Sequence, residues 1–239
     1  MCPESYLYSH MGAYKGNEYD QLYQTDPWLI YTCQRTRLTL QRIVTRYYQH
    51  RPIKLLDFAC GTARITSFLE DKVDEAVGVD VSESMLAVAE RKVKRAKLLH
   101  ANLLKDNLLA GEKFNLITAF RFFLNAEPEL RKAAIKAIVP LLADDGLFVF
   151  NNHRNQTSPL VRLKYGRRHK TRNFMSMQEM QNMVSEFGLN IIKIYPVGFL
   201  PLPRIKLPPA VNNIIDAVAS RFQCLRDYSE SPIAVCCLA

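Results

Sequence analysis

The chain lacks any run of roughly 18 consecutive apolar residues, the length a helix needs to cross a bilayer, and this argues against a membrane-spanning fold. Its opening residues, Met1-Cys2-Pro3-Glu4-Ser5-Tyr6, are polar and acidic where a secretory leader would be basic and then apolar. A cytoplasmic location is therefore expected, with no membrane partner. The six cysteines (Cys2, Cys33, Cys60, Cys224, Cys236, Cys237) form no C-x-x-C pair and no paired histidine spacing accompanies them. They read as reduced thiols rather than metal ligands or a disulfide framework. No internal repeat or low-complexity tract is present. With 48% hydrophobic and 23% charged residues, the composition excludes a disordered or fibrous chain.

What the chain does have is positive charge: a formal +9 and a sequence pI of about 9.3. Such a balance favours an anionic partner, whether nucleic acid, an anionic surface or a phosphorylated or carboxylated small molecule. At 239 residues, and with roughly 150 residues per domain, one structural domain is expected. From Lys54 onward, apolar strands alternate with helical patterns, as in a parallel sheet covered by helices on both faces. Strands are predicted near 54–59, 75–80, 97–101, 113–120, 146–152, 189–197 and 233–238. Helices are predicted over about 63–72, 82–95, 127–142, 176–187 and 210–221, and an earlier one opens at Asp26-Pro27.

The chemistry concentrates in Lys54-Leu55-Leu56-Asp57-Phe58-Ala59-Cys60-Gly61-Thr62-Ala63-Arg64, where a buried strand closes on a carboxylate and enters a turn nearly free of side-chain bulk. The next strand, Glu75-Ala76-Val77-Gly78-Val79-Asp80, ends in an acid roughly 20 residues later, the spacing at which a carboxylate meets ribose hydroxyls. A nicotinamide-binding protein would place an acid there too. However, it would want G-x-G-x-x-G, and Ala59-x-Gly61-x-x-Arg64 is a poor version of it.

The first stretch resembles motif I of the class I S-adenosylmethionine-dependent methyltransferases, and Asp80-Val81-Ser82-Glu83-Ser84-Met85-Leu86 resembles their second motif. The family's first and third glycines are Ala59 and Ala63 here, which suits alanine where neither position takes a positive φ. The resemblance implies a doubly wound, seven-stranded α/β sheet, mostly parallel, with the last strand antiparallel beside the sixth: a Rossmann-like fold. It implies S-adenosyl-L-methionine as cofactor, held by Tyr19, Asp57, Ala59, Cys60, Gly61, Asp80, Val81, Met85, Asn102, Leu103 and Phe120. Asp80 would take the ribose, Met85 would lie near the adenine, and the Asn102 amide oxygen would accept from the adenine amino group. Residues 1–50 would form an N-terminal helical lid on a catalytic unit at 51–239, with Tyr19, Arg35 and Arg37 candidates for the cofactor carboxylate. Cys236-Cys237-Leu238-Ala239 also fits a prenylation signal, but a terminal strand explains the same residues.

The methyl acceptor should sit at the loops after the fourth and fifth strands, Thr118 to Asn125 and Asn151 to Asn155. The fourth-strand loop has no Asn/Asp-Pro-Pro-aromatic run, which sets it apart from enzymes that methylate base amines. Thr118 and Asn151-Asn152 stand where catechol-type enzymes need acids for Mg²⁺, so no metal is expected. Thr32-Cys33 lies in the lid rather than at a strand end, where a pyrimidine-C5 nucleophile would sit. A small-molecule N or O acceptor carrying an anionic group is the favoured reading. His153 would serve as base and Arg121 as anion anchor, beneath the basic stretch 162–172. An RNA substrate contacted by that stretch, or a cofactor-binding protein without turnover, are the rival readings. Oligomeric state is not legible.

Overall fold

The computed structural model describes Tyr6, Gly12 and residues 15–166, 173–199, 209–219 and 221–239. Most of the basic stretch, 167–172, lies outside the described residues. Two helices, α1 (Lys15–Thr25) and α2 (Pro27–Tyr47), precede the sheet. The Asp26 carboxylate accepts from the Trp28 and Leu29 N–H groups at 2.8 and 2.9 Å, and Pro27 takes the first helical position. Such a cap stabilises by about 1 kcal/mol.

The strands are β1 (Lys54–Phe58), β2 (Glu75–Asp80), β3 (Lys97–His100), β4 (Phe114–Ala119), β5 (Leu142–Asn151), β6 (Leu189–Tyr195) and β7 (Ile233–Leu238). They form one seven-stranded sheet in the order β3-β2-β1-β4-β5-β7-β6. Pairings among β1 to β5 are parallel, while β7 runs antiparallel to both β5 and β6. All seven predicted strands are present, in the expected Rossmann-like arrangement with an antiparallel last strand. Cys236, the first residue of the prenylation-like tetrapeptide, is fully buried in β7.

Alternation along the strands divides the core. Leu56, Phe58, Ile117, Phe148 and Phe150 face α5 (Pro128–Ile138) and α7 (Met177–Ser185), whereas Leu55, Leu116, Leu147 and Val149 face α2 and the short α3 (Thr66–Leu69). Leu55 and Leu56, adjacent in sequence, thus anchor opposite layers, as the period of two requires. Each contributes roughly 1.5–3 kcal/mol of burial.

Helices are shorter than predicted, for local reasons. The helix expected over 127–142 ends at Ile138 in a 3₁₀ turn, Val139–Leu141, because Pro140 cannot donate to the helical ladder. The one expected over 82–95 stops as α4 (Glu83–Ala89), since the Glu70 carboxylate takes the N–H groups of Lys94, Arg95 and Ala96 at 2.8 to 3.1 Å. Helices α6 (Pro159–Tyr165) and α8 (Pro209–Ala219) complete the fold. The strand order reverses between β1 and β4, so a crevice opens beyond their carboxyl ends. Helix α1 borders it, with Gly16 packed so closely that a Cβ there would come within 2.2 Å of the Ser84 carbonyl oxygen.

Candidate functional site

The loop leaving β1 is strained. Ala59, Gly61 and Ala63 have φ of 52°, 56° and 54°. The two alanines therefore occupy the left-handed region that their residue type was expected to avoid, at roughly 1–2 kcal/mol each. Two carboxylates hold the loop in place. Beneath it, buried Asp57 accepts from Thr66 N (3.2 Å), Thr66 Oγ1 (2.6 Å) and Thr118 Oγ1 (2.7 Å), tying β1 to α3 and β4. Burial pushes its pKa up to about 6 against those hydrogen bonds. Asp57 does not line the crevice, so its work is to brace the loop.

Beside the loop, Asp80 at the end of β2 accepts from Gly61 N at 2.8 Å and Ser82 N at 2.9 Å, while Ser82 caps α4 through Met85 N at 3.4 Å. Burial raises the Asp80 pKa, and these backbone donors oppose the shift. The Cys60 N–H donates to the Val79 carbonyl at 3.0 Å, locking the turn to β2.

The crevice holds about 810 Å³ of open space including its mouth, within the range of cofactor sites. Ala59, Cys60 and Gly61 of the loop, Asp80, Val81 and Met85 from the end of β2 onward, and Asn102 and Leu103 after β3 all line it. Tyr19, Phe120 and Arg121 line it as well. Nothing lies within 4 Å of where a Gly61 Cβ would project, so a ligand can approach that backbone directly. Asn102 Oδ1 already accepts from Leu104 N at 3.1 Å, which leaves one lone pair for another donor.

Arg64 was missed in the sequence, where it registered only as a failed third glycine. Its guanidinium lies 3.5 Å from the Tyr23 ring centroid and donates to the Tyr19 hydroxyl at 3.3 Å. Burial raises the Tyr19 pKa, but Arg64 and Arg121 outweigh it and leave the phenol below its ordinary value. Tyr6 also lines the crevice and donates to the Arg121 carbonyl at 3.3 Å. Arg35 and Arg37, two of the carboxylate candidates, point elsewhere: Arg35 pairs with Asp216 at 3.6 Å and Arg37 stacks over Phe68.

A smaller space of about 340 Å³ adjoins the crevice, sharing Arg64, Phe120 and Arg121 with it, and His153 lines this second space. Arg121, with φ of 67°, donates its N–H to Asn151 Oδ1 at 2.7 Å, a turn that aims its side chain at both spaces. His153 is 3% exposed and its Nδ1 has no partner among the described residues. Burial, then Arg121, Arg154 and Lys164, holds its pKa well below 6.5, so the ring is neutral at pH 7. Glu230, also buried and with Oε2 unpartnered, feels the same three cations, and burial pushes its pKa to about 7. A single glutamate before β7 carried no sequence signal. Of Thr118, Asn151 and Asn152, which stand where Mg²⁺ acids would be, Thr118 donates to Asp57, Asn151 donates to Ser231 and accepts from Arg121 N, and Asn152 donates to the Met175 carbonyl while its Oδ1 has no partner among the described residues.

Residues 55–146 match the family model described as a methyltransferase domain. A Geobacillus sp. (strain WCH70) protein named as a methyltransferase is 31% identical over 120 residues, 48% of each chain. The present chain thus spans about half the length of that relative. The demethylmenaquinone methyltransferase of Bacillus cereus (strain ATCC 10987 / NRS 248) is 26% identical over 174 residues, 61% of this chain and 73% of that one. Among solved structures, the magnesium protoporphyrin IX methyltransferase of Synechocystis PCC 6803 with bound SAH superposes with a TM-score of 0.65 at 12% identity, covering 93% of both chains. The DhpI–SAH complex superposes with a TM-score of 0.65 at 13% identity, covering 99% of this chain and 98% of that one.

Proposed function

The chain carries a class I S-adenosylmethionine-dependent methyltransferase domain, and from that premise we propose that it methylates an N or O atom of a small molecule bearing an anionic group. The observation that carries the cofactor half is Asp80, a carboxylate lining the crevice at the switch point and fixed by Gly61 N–H at 2.8 Å. In this reading Asp80 receives the ribose, and Val81, Met85, Asn102 and Leu103 surround the adenine. Ala59, Cys60 and Gly61 let the methionine portion approach the backbone, and Asp57 positions them from below. Tyr19 and Arg64 meet the amino-acid carboxylate, which assigns residues 1–50 the role of a lid over a catalytic unit at 51–239.

When bound, the cofactor supplies an electrophilic methyl group on a sulfonium. The chain's own work is to orient the acceptor, exclude water and take up a proton. Phe120 and the edge-to-face Phe58–Phe122 pair, 5.1 Å apart, give the crevice dry walls. Arg121, whose Nε has no partner among the described residues, is free to hold an acceptor carboxylate or phosphate. Neutral His153 can accept at Nδ1 the proton that leaves the acceptor as its lone pair forms the new bond. The substrates named for the relatives, demethylmenaquinone and magnesium protoporphyrin IX, are small molecules and support that class of acceptor.

Incubation with methyl-labelled cofactor, a pool of acidic metabolites and separately with structured RNA tests the proposal. Label should enter a metabolite, with only a few-fold loss between about 50 and 200 mM salt, where an RNA contact through several phosphates would weaken by orders of magnitude. Labelling of RNA alone would contradict it.

A further inference from the structure

Helix α8 is inside-out. Its inward face carries Asp216, 1% exposed, which accepts from the Tyr31 hydroxyl, from Gly198 N at 3.0 Å and from Phe199 N at 3.2 Å. Its outward face carries Val211, Ile214 and Val218, which are 37%, 64% and 51% exposed and spaced to share one side of the helix. In the segment after the helix, Phe222 (54%), Leu225 (39%) and Tyr228 (45%) are exposed as well. Of the eleven large apolar side chains exposed among the described residues, six therefore fall within 211–228. Single exposed apolar side chains are ordinary, but a set concentrated in one short segment marks a contact surface.

A basic groove adjoins this face. Arg35, Arg42, Lys193, Arg221 and Arg226 line it, and no acid does among the described residues. Asp216 and Asp227 each lie 3.6 Å from one of these, Arg35 and Arg226 respectively. No ion pair among the described residues engages Arg42, Lys193 or Arg221. Arg221 and Arg226 alternate along the chain with Phe222 and Leu225, so apolar and cationic groups emerge from one short segment. That pairing matches the boundary of an anionic bilayer, where apolar side chains enter among the acyl chains and guanidinium groups meet lipid phosphates. No described helix is long and apolar enough to cross a membrane, and a helix lying on the surface has no need to be.

We infer that the outer face of α8 and the adjoining groove of Arg42, Lys193, Arg221 and Arg226 dock the protein on an anionic lipid surface. This surface is separate from the crevice, and the inference stands independently of the methyl-transfer reading. Flotation of the full chain with vesicles of phosphatidylcholine alone, or with about one-quarter phosphatidylglycerol, tests it. At about 0.1 M salt at least tenfold more protein should float with the anionic vesicles, and the difference should shrink as salt is raised. Ile214→Asn with Phe222→Ser should abolish flotation, and Lys193→Ser with Arg221→Ser should reduce it on the order of fivefold per charge removed. Both variants change exposed side chains, so the wild-type melting temperature should persist and separate lost docking from lost fold. Equal binding to both vesicles, binding to neither, or full binding by both variants would overturn the inference. So would a dimer that dissolves in the Ile214→Asn variant while no vesicle is bound.

Discussion

The two halves of the crevice differ in how completely their polar groups are satisfied. On the β1–β2 side, both Asp57 oxygens and both Asp80 oxygens accept hydrogen bonds from fixed donors. On the β4–β5 side, Arg121 Nε and His153 Nδ1, which line the crevice or the space adjoining it, are buried without partners among the described residues, and so is Glu230 Oε2, which lines neither. Each orphaned group carries a desolvation penalty of about 1–3 kcal/mol that a bound ligand could relieve. A site built for one constant ligand can be rigid before that ligand arrives, whereas the orphaned groups belong where the reacting partner must be gripped and deprotonated.

The largest test of that difference is His153→Ala. If a proton must leave the acceptor, kcat should fall by roughly 100-fold or more while cofactor affinity stays unchanged. The pH profile sharpens this further. A base whose pKa lies well below 6.5 stays deprotonated as pH drops from 8 to 6.5, so the histidine-dependent loss of kcat should begin only below that window. Glu230, with a pKa of about 7, titrates inside the window, and Glu230→Gln should remove any inflection seen there. An acidic limb centred at or above 6.5 that persists in Glu230→Gln but is absent from His153→Ala would contradict the lowered His153 pKa, and one that persists in both variants would show that His153 is not the base.

On the satisfied side, Asp57→Ala strands Thr66 and Thr118 and should lower unfolding free energy by about 2–4 kcal/mol, read from denaturant curves. The sign of its pH dependence follows from a folded pKa of about 6, above the ordinary carboxylate value of 3.8. The native state binds the extra proton between those two values, so the cost of keeping Asp57 ionised is relieved as pH falls from 6 toward 4. Asp57→Ala should accordingly lose more stability at pH 5 than at pH 7.5. The smallest expected effect is that of EDTA, which should leave turnover unchanged because the strand-end positions that would need acids are Thr118, Asn151 and Asn152. Activity that vanished with chelation and returned with Mg²⁺ would break the assignment of the acceptor side.

The same contrast separates what the sequence revealed from what it hid. Strand positions and the β1–β2 constellation follow from local pattern: apolar runs, small residues in a turn, an acid at fixed spacing. Asp57 was recognisable, but its role was not, because whether a carboxylate turns toward a ligand or toward Thr66 depends on packing. Arg64 and Glu230 were hidden for a related reason. Each becomes significant through neighbours far away in sequence, Arg64 through Tyr19 and Tyr23, Glu230 through Arg121, Arg154 and Lys164. The left-handed Ala59 and Ala63 contradict residue-type preference outright, and the strain is sustained by the bonds from Asp57 and Asp80 on either side of the loop.

The most direct measurement is calorimetric titration of S-adenosylmethionine and its demethylated product into the native chain and Asp80→Ala. Both ligands should bind the native protein, and the substitution should weaken each by about 1.5–3 kcal/mol, roughly ten- to a hundredfold, while the unliganded variant still unfolds cooperatively at a melting temperature lowered by the loss of the bonds to Gly61 N and Ser82 N. Equal affinity in the folded variant would contradict the placement of the cofactor ribose at Asp80, and with it the assignment of the crevice.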